Sequence, residues 1–151
     1  MPQSLCKIYL HIVYHIKTTS PEIREEDLER VHSYIGQLIK TTSSVPIIVG
    51  GVSDHVHILC MLGRTIAVAD LMEEIKRNSS RWIKTLSEHY SNFEWQGGYG
   101  SFSLGESGVE NAIEYIKHQN EHHKHTSFEE EYKHLLQLYH IDYDIRYVFK
   151  D

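Results

Sequence analysis

Residues 45–62 read VPIIVGGVSDHVHILCML, two apolar runs separated by a glycine-containing turn. The pattern predicts a β-hairpin with strands near 45–50 and 55–62. In the second strand, alternation sends Val56, Ile58 and Cys60 to one face and His55, His57 and Leu59 to the other. Two imidazoles therefore leave the same side of a sheet. Composition tempers that observation: twelve histidines in 151 residues produce roughly one such pair by chance, and His123 and His125 form a second. Any function has to come from context.

Outward from the hairpin, residues 6–16 alternate as well. Cys6, Ile8, Leu10, Ile12, Tyr14 and Ile16 fall on one side, and Lys7, Tyr9, His11, His15 and Lys17 on the other. That is a strand with one face on a core and one open to solvent or ligand. Ser20 offers an N-cap and Pro21 a first helical residue, followed by Glu22, Glu25, Glu26 and Asp27 at the positive end of a helix dipole. Leu28, Val31, Ile35, Leu38 and Ile39 recur at helical spacing, so the first helix runs to about Lys40. A second amphipathic helix is expected from Ala67 to Tyr90, carrying Leu71, Ile75, Trp82 and Leu86 opposite Arg77, Arg81 and Lys84. Residues 93–108, FEWQGGYGSFSLGESG, read as a short strand or hairpin ending in a flexible connection. Helices are expected over 109–123 and 127–139. The order of elements predicts an α+β fold: a ferredoxin-like antiparallel sheet with helices on one face, plus appended C-terminal helices, with residues 1–151 as a single domain.

Composition is that of a globular chain, 40% apolar and 24% charged. No apolar run approaches the ~20 residues of a bilayer span, and the first residues lack the pattern of a secretory signal. A cytoplasmic protein without membrane contact is expected. Cys6 and Cys60 lie in apolar strand patterns and read as reduced, buried thiols. The net charge of −6 argues against a protein that coats nucleic acid nonspecifically. Acidic residues gather in PEIREEDLE (21–29) and FEEEY (128–132), which read as solvated helix faces. Lys7, Lys17, Lys76, Arg77, Arg81 and Lys84 lie elsewhere and leave room for a local basic groove.

In ENAIEYIKHQNEHHK (110–124), Tyr115 and Gln119 are one helical turn apart and share a face. Taken alone, Tyr115 is a boundary residue that buries its ring and wets its hydroxyl. Taken with the strand histidines, two imidazoles and one amide oxygen make three neutral ligands with coordination positions left open. A divalent metal held that way polarises a phosphoryl oxygen, and a nearby tyrosine becomes a nucleophile once it is activated from its ordinary pKa of about 10.

The motifs SDHVHIL, WQGGYGSFSL, YIKHQNEHH and TSFEEEY, in that order, with the strand HIVYHIK before them, resemble the TnpA-type single-tyrosine transposases of small bacterial insertion sequences, members of the HUH superfamily. The resemblance spans nearly the whole chain. It implies that His55, His57 and Gln119 bind Mg²⁺ or Mn²⁺ and that Tyr115 is the nucleophile. It further implies cleavage and rejoining of single-stranded DNA at hairpin-bearing element ends, in a homodimer whose active sites can be shared. Lys76 matches a lysine that meets DNA, and Lys17 is a similar case; Tyr9, His11 and His15 would touch or stack on bases. Asp54 either orients a ligand histidine or belongs to the turn. His122 reads more readily as a helix-end cation than as a ligand, and Trp95, Tyr99 and Phe102 as packing residues. Two other readings stay open: a domesticated regulator that binds DNA or RNA hairpins without cutting them, and a small metal-dependent hydrolase or ferredoxin-like interaction domain.

Overall fold

The structure is a computed structural model that describes residues 2–119 and 127–150. His122, His123 and His125 lie outside the described residues. Strand β1 is Tyr9–His15, helix α1 Glu25–Thr41, strands β2 and β3 Val45–Val52 and His55–Met61, and helix α2 Val68–Lys84. Strand β4 is Gly100–Leu104, followed by helix α3, Val109–Lys117, and helix α4, Phe128–Leu138. The strands lie in the order β2-β3-β1-β4, each neighbour antiparallel, which is the ferredoxin-like arrangement.

Alternation builds the two faces as expected. Leu10, Ile12, Tyr14, Val56, Ile58 and Cys60 all enter the main core, where α1 and α2 cover them with Val31, Ile35, Ile39, Leu71 and Ile75. Each large aliphatic side chain withdrawn there contributes about 1.5–3 kcal/mol. Burial also pushes the Cys60 thiol up to about 12, so it stays protonated and inert.

The opposite face differs from the sequence reading. The odd positions of β1 are not open: Tyr9, His11, Val13 and His15 are buried. Helices α3 and α4 lie over this face, bringing Ala112 and Ile116 onto Leu59, and Tyr132, Leu135 and Leu136 onto Val13 and Phe102. His11 and His15 are therefore not available to stack on bases in this state. Two glycines of the hairpin make the cover possible. Gly51 has φ +136°, and a Cβ there would meet the His55 carbonyl; a Cβ on Gly50 would stand 2.7 Å from Ile116 Cγ2, so only glycine lets α3 settle on β2.

Four local expectations fail. Helix α1 starts at Glu25, not after Ser20, because Ile23 is pulled into the core and its N–H donates to the Ser53 carbonyl, which keeps residues 21–24 out of the helix. Asp27, expected on a solvated face, is buried and accepts from the Tyr90 hydroxyl and Arg30. Cys6 precedes β1 and is exposed. Helix α2 ends at Lys84, short of Tyr90, which sits in a separate turn of 3₁₀ helix. Among the described residues no helix is long and apolar enough to cross a membrane.

Candidate active site

The register pairs His15 with His55 and Val13 with His57, so β1 and β3 present His11, His15, His55 and His57 on the covered face. His55 and His57 are both fully buried. His55 Nδ1 lies 2.7 Å from Asp54 Oδ1. The carboxylate draws the ring proton to Nδ1 and leaves the Nε2 lone pair facing the site, which assigns Asp54 the orienting role.

His57 is held from behind by another histidine. Its Nδ1 is 2.9 Å from His11 Nε2, and His11 Nδ1 is 3.3 Å from the Tyr139 hydroxyl. Burial, and then the charge of His57, hold the His11 imidazole down to about 3, so it is neutral. A neutral His11 accepts at one nitrogen and donates at the other, and the Tyr139 hydroxyl can do either. The chain His57–His11–Tyr139 thus satisfies either tautomer of His57.

The centre of the cluster is Glu131, the third glutamate of the first turn of α4, 6% exposed. Its Oε1 lies 3.0 Å from His57 Nε2 and accepts from Tyr115 Oη at 2.5 Å and from the Gln119 amide. Its Oε2 lies 3.7 Å from His55 Nε2. Burial pushes the Glu131 carboxyl up, but the bond and charge of His57, the bond from Tyr115 and the charge of His55 outweigh it and hold the group down to about 2. The same contact acts oppositely on Tyr115: burial first, then the hydrogen bond to Glu131 and its charge, raise the phenol well above its ordinary range.

The structure brings together all four residues expected at the site, though not as one helix face. Helix α3 stops at Lys117 with His118 as its C-cap, so Gln119 lies beyond the helix that carries Tyr115. Gln119 is nevertheless buried, with Nε2 3.2 Å from His55 Nε2. The Tyr115 ring meets His57 edge-on with centroids 5.5 Å apart. His55, His57 and Glu131 each offer a ligand atom, and these atoms lie within 4.8 Å of one another. Gln119 Oε1 and Glu131 Oε2 are buried without a hydrogen-bond partner among the described residues. Orphaned buried acceptors beside two imidazoles fit a cation better than they fit an apoprotein core.

Glu131 was hidden by its company in FEEEY. Its signal was position: Phe128, Glu131, Tyr132, Leu135 and Leu136 form one helical stripe, so Glu131 occupies a place on the apolar face. The two lysines expected to meet DNA have structural partners. Lys17 pairs with Glu94 at 2.9 Å. Lys76 Nζ donates to the carbonyls of Gln96 and Gly98 at 2.9 and 2.5 Å, and sits 5.5 Å from the ring centroids of Tyr14 and Tyr99. Burial pulls its ammonium down to about 8. Trp95 and Phe102 are core residues, as expected.

Comparison with solved structures places the fold. A candidate transposase from Deinococcus radiodurans R1 superposes with a TM-score of 0.60 at 16% identity, covering 79% of this chain and 98% of that one. A REP-associated tyrosine transposase bound to a REP hairpin gives 0.60 at 12% identity, covering 82% of this chain and 73% of that one. No curated protein sequence matches. The model of the family described as "Transposase IS200 like" matches residues 4–119, and the chain belongs to that family. The matched span runs from before β1 to Gln119; α4 and Glu131 follow it.

Proposed function

We propose that this transposase-family chain cleaves and rejoins single-stranded DNA at hairpin-bearing element ends through a 5′-phosphotyrosine on Tyr115, using a divalent metal. The observation that carries the reading is the convergence of Tyr115, His55, His57 and Gln119 on one buried carboxylate. Family membership supports a DNA-rearranging enzyme. The similar fold of a tyrosine transposase bound to a hairpin supports the substrate class.

In the proposed step, Tyr115 Oη forms a bond to phosphorus while the bond from phosphorus to the 3′ oxygen breaks. The phenol proton is passed by way of Glu131 to the departing 3′ oxygen. One phosphodiester replaces another, so the strand can be resealed by the reverse exchange without a nucleotide cofactor. Asp54 and His11 orient the two imidazoles, and Glu131 aims the phenol. His55, His57 and Gln119 would hold the metal, and Glu131 adds the negative charge that a hard ion such as Mg²⁺ or Mn²⁺ favours over three neutral ligands. The ion would supply positive charge that polarises the phosphodiester and lowers the phenol pKa.

Lys17 and Lys76 belong to the proposal as DNA contacts reached by the flanking strand. A homodimer in the cytoplasm completes it, although in this structure Tyr115 faces His57 of its own chain. Sedimentation of the purified protein checks the dimer.

The test is a labelled single strand carrying the hairpin that flanks the coding region, incubated with Mn²⁺. A covalent adduct is expected, absent in EDTA and lost in Tyr115→Phe. One observation favours a second reading, the non-cleaving hairpin-binding regulator: the phenol is held protonated by Glu131. Hairpin binding without an adduct under every metal condition would establish the regulator instead.

A further inference from the structure

Beside Tyr115, helices α3 and α4 part to leave a cavity of about 350 Å³. We propose that this cavity receives one unpaired nucleobase, from the nucleotide adjoining the phosphodiester at Tyr115; the proposal rests on the single-stranded DNA reading above.

Position comes first. Tyr115 is both a wall of the cavity and the residue whose hydroxyl sits on Glu131. Any phosphodiester brought to that hydroxyl carries a nucleoside on each side, one sugar away, so a base comes within reach of the surfaces bordering the ring. Chemistry comes second. The walls are Leu104 from β4, Ala112 from α3 and Leu135 from α4, with the Tyr139 ring beside them. A sugar-phosphate chain would lose its hydration there, whereas the π-face of a base suits apolar and aromatic walls. The volume is at the small end of the ~300–1,000 Å³ of ligand sites, which fits one base and not a base pair. A base still paired in a duplex could not enter, so the cavity selects for single strands.

The mouth supplies an independent sign. Leu138 is 60% exposed at its edge, an apolar side chain that the core does not use. Selectivity among bases is expected to be weak. His11 forms the floor, and its two ring nitrogens already face His57 and Tyr139, leaving Asn111 and His134 at the rim as the polar groups. A site that lacks fixed donors and acceptors in its depth reads shape and stacking more than sequence.

The experiment uses the full 17.7 kDa chain with labelled methyl groups, in EDTA so that no strand is cut. Two probes are compared: a twelve-residue oligothymidylate, and a strand of equal length whose sugars carry no bases. The methyl resonances of Leu104, Ala112, Leu135 and Leu138 are expected to move with the first and not with the second, while those of Leu28 stay fixed. Leu138→Asp changes an exposed residue and leaves the fold intact. It is expected to weaken oligothymidylate binding ~10-fold, in line with the loss of one stacked base, with the baseless strand unaffected. The cavity assignment is overturned if polarisation shows oligothymidylate bound while these methyls stay still, or if the baseless strand moves them equally. It is also overturned if they move with protein concentration alone, which would make a second copy the occupant. If neither strand binds, the cavity assignment is overturned, while the DNA-acting reading stands or falls separately on the adduct with the hairpin-bearing strand.

Discussion

The two faces of the β1–β3 pair use alternate residues of the same strands, yet they are closed in different ways. On one face Leu10, Ile12, Val56, Ile58 and Cys60 meet α1 and α2, helices interleaved with the strands in the chain. On the other, His11, His15, His55 and His57 meet α3 and α4, which follow the whole sheet in sequence. The first face is mostly hydrocarbon, its few buried polar groups including the Tyr14 hydroxyl and the Asp27–Tyr90 bond. The second buries imidazoles, an amide, a phenol and a carboxylate, some of whose atoms find no partner among the described residues. Buried polar groups contribute less to stability than the same volume of hydrocarbon. Their place here is explained by chemistry, and the stability of the fold rests on the other face.

The largest effect that separates the faces is expected from Ile58→Ala. Ile58 is fully buried between His57 and Leu59 but points the opposite way. Removing it should cost about 3 kcal/mol, within the ~2–5 kcal/mol of buried isoleucine truncations, read from urea unfolding. Mn²⁺ affinity measured on the folded variant should not change. A loss of metal binding in parallel with stability would break the division of labour.

Next is Glu131→Gln, which keeps the shape and removes the charge. Mn²⁺ affinity by calorimetry is expected to fall ~10–100-fold, as for loss of a partner in a metal site. The sign for Tyr115 is fixed by the same contact. Because the Glu131 charge helps to hold the phenol up, the variant should bring the Tyr115 pKa down toward its ordinary value, seen in the ring resonances of labelled tyrosine. A phenol that stays put would leave burial as its sole cause.

How much of this was readable beforehand follows the same division. The apolar face is a local pattern, repeating every second residue in Leu10–Tyr14 and Val56–Cys60, so the strands and the topology could be read directly. The histidine spacing could be read too, as could Tyr115 and Gln119. What could not be read was closure. Glu131 is remote from His57 in sequence, and its two acidic neighbours made it look like part of a solvated face. The alternation in β1 does not say whether its second face is wet, because that depends on α3 and α4, and α3 reaches the sheet through Gly50. Asp27 was missed for a similar reason: its partner, Tyr90, comes from a turn after α2.

His11 tests how far the site face extends behind the His55 and His57 imidazoles. Phe at this position fills the space but cannot bond His57 Nδ1, whose neighbour His11 Nε2 is 2.9 Å away. The His57 ring would lose the partner that supports its tautomer. Metal affinity in His11→Phe should fall ~10-fold, with His11→Gln recovering part of the loss because an amide can still bond the ring. Equal loss in both variants would reduce His11 to packing.

The smallest effect concerns His32, on α1 and remote from the site, where burial pulls the imidazole down to about 4. Its Nε2 has no hydrogen-bond partner among the described residues, so nothing offsets a proton taken up there. The unfolded chain protonates this histidine near its ordinary 6.5, while the folded chain does not until about 4. Between those values the unfolded state holds more protons, so the stability it contributes is complete above about pH 6.5 and declines as pH falls toward 4. Because His32 is only partly withdrawn from water, the decline should be about 1 kcal/mol. Urea unfolding at pH 7 and pH 4.5 should show a smaller difference in His32→Gln than in the parent. An unchanged difference would assign the acid sensitivity to the other face, where His11 is held neutral by deeper burial. The polar cluster would then set the pH limit of the fold as well as its chemistry.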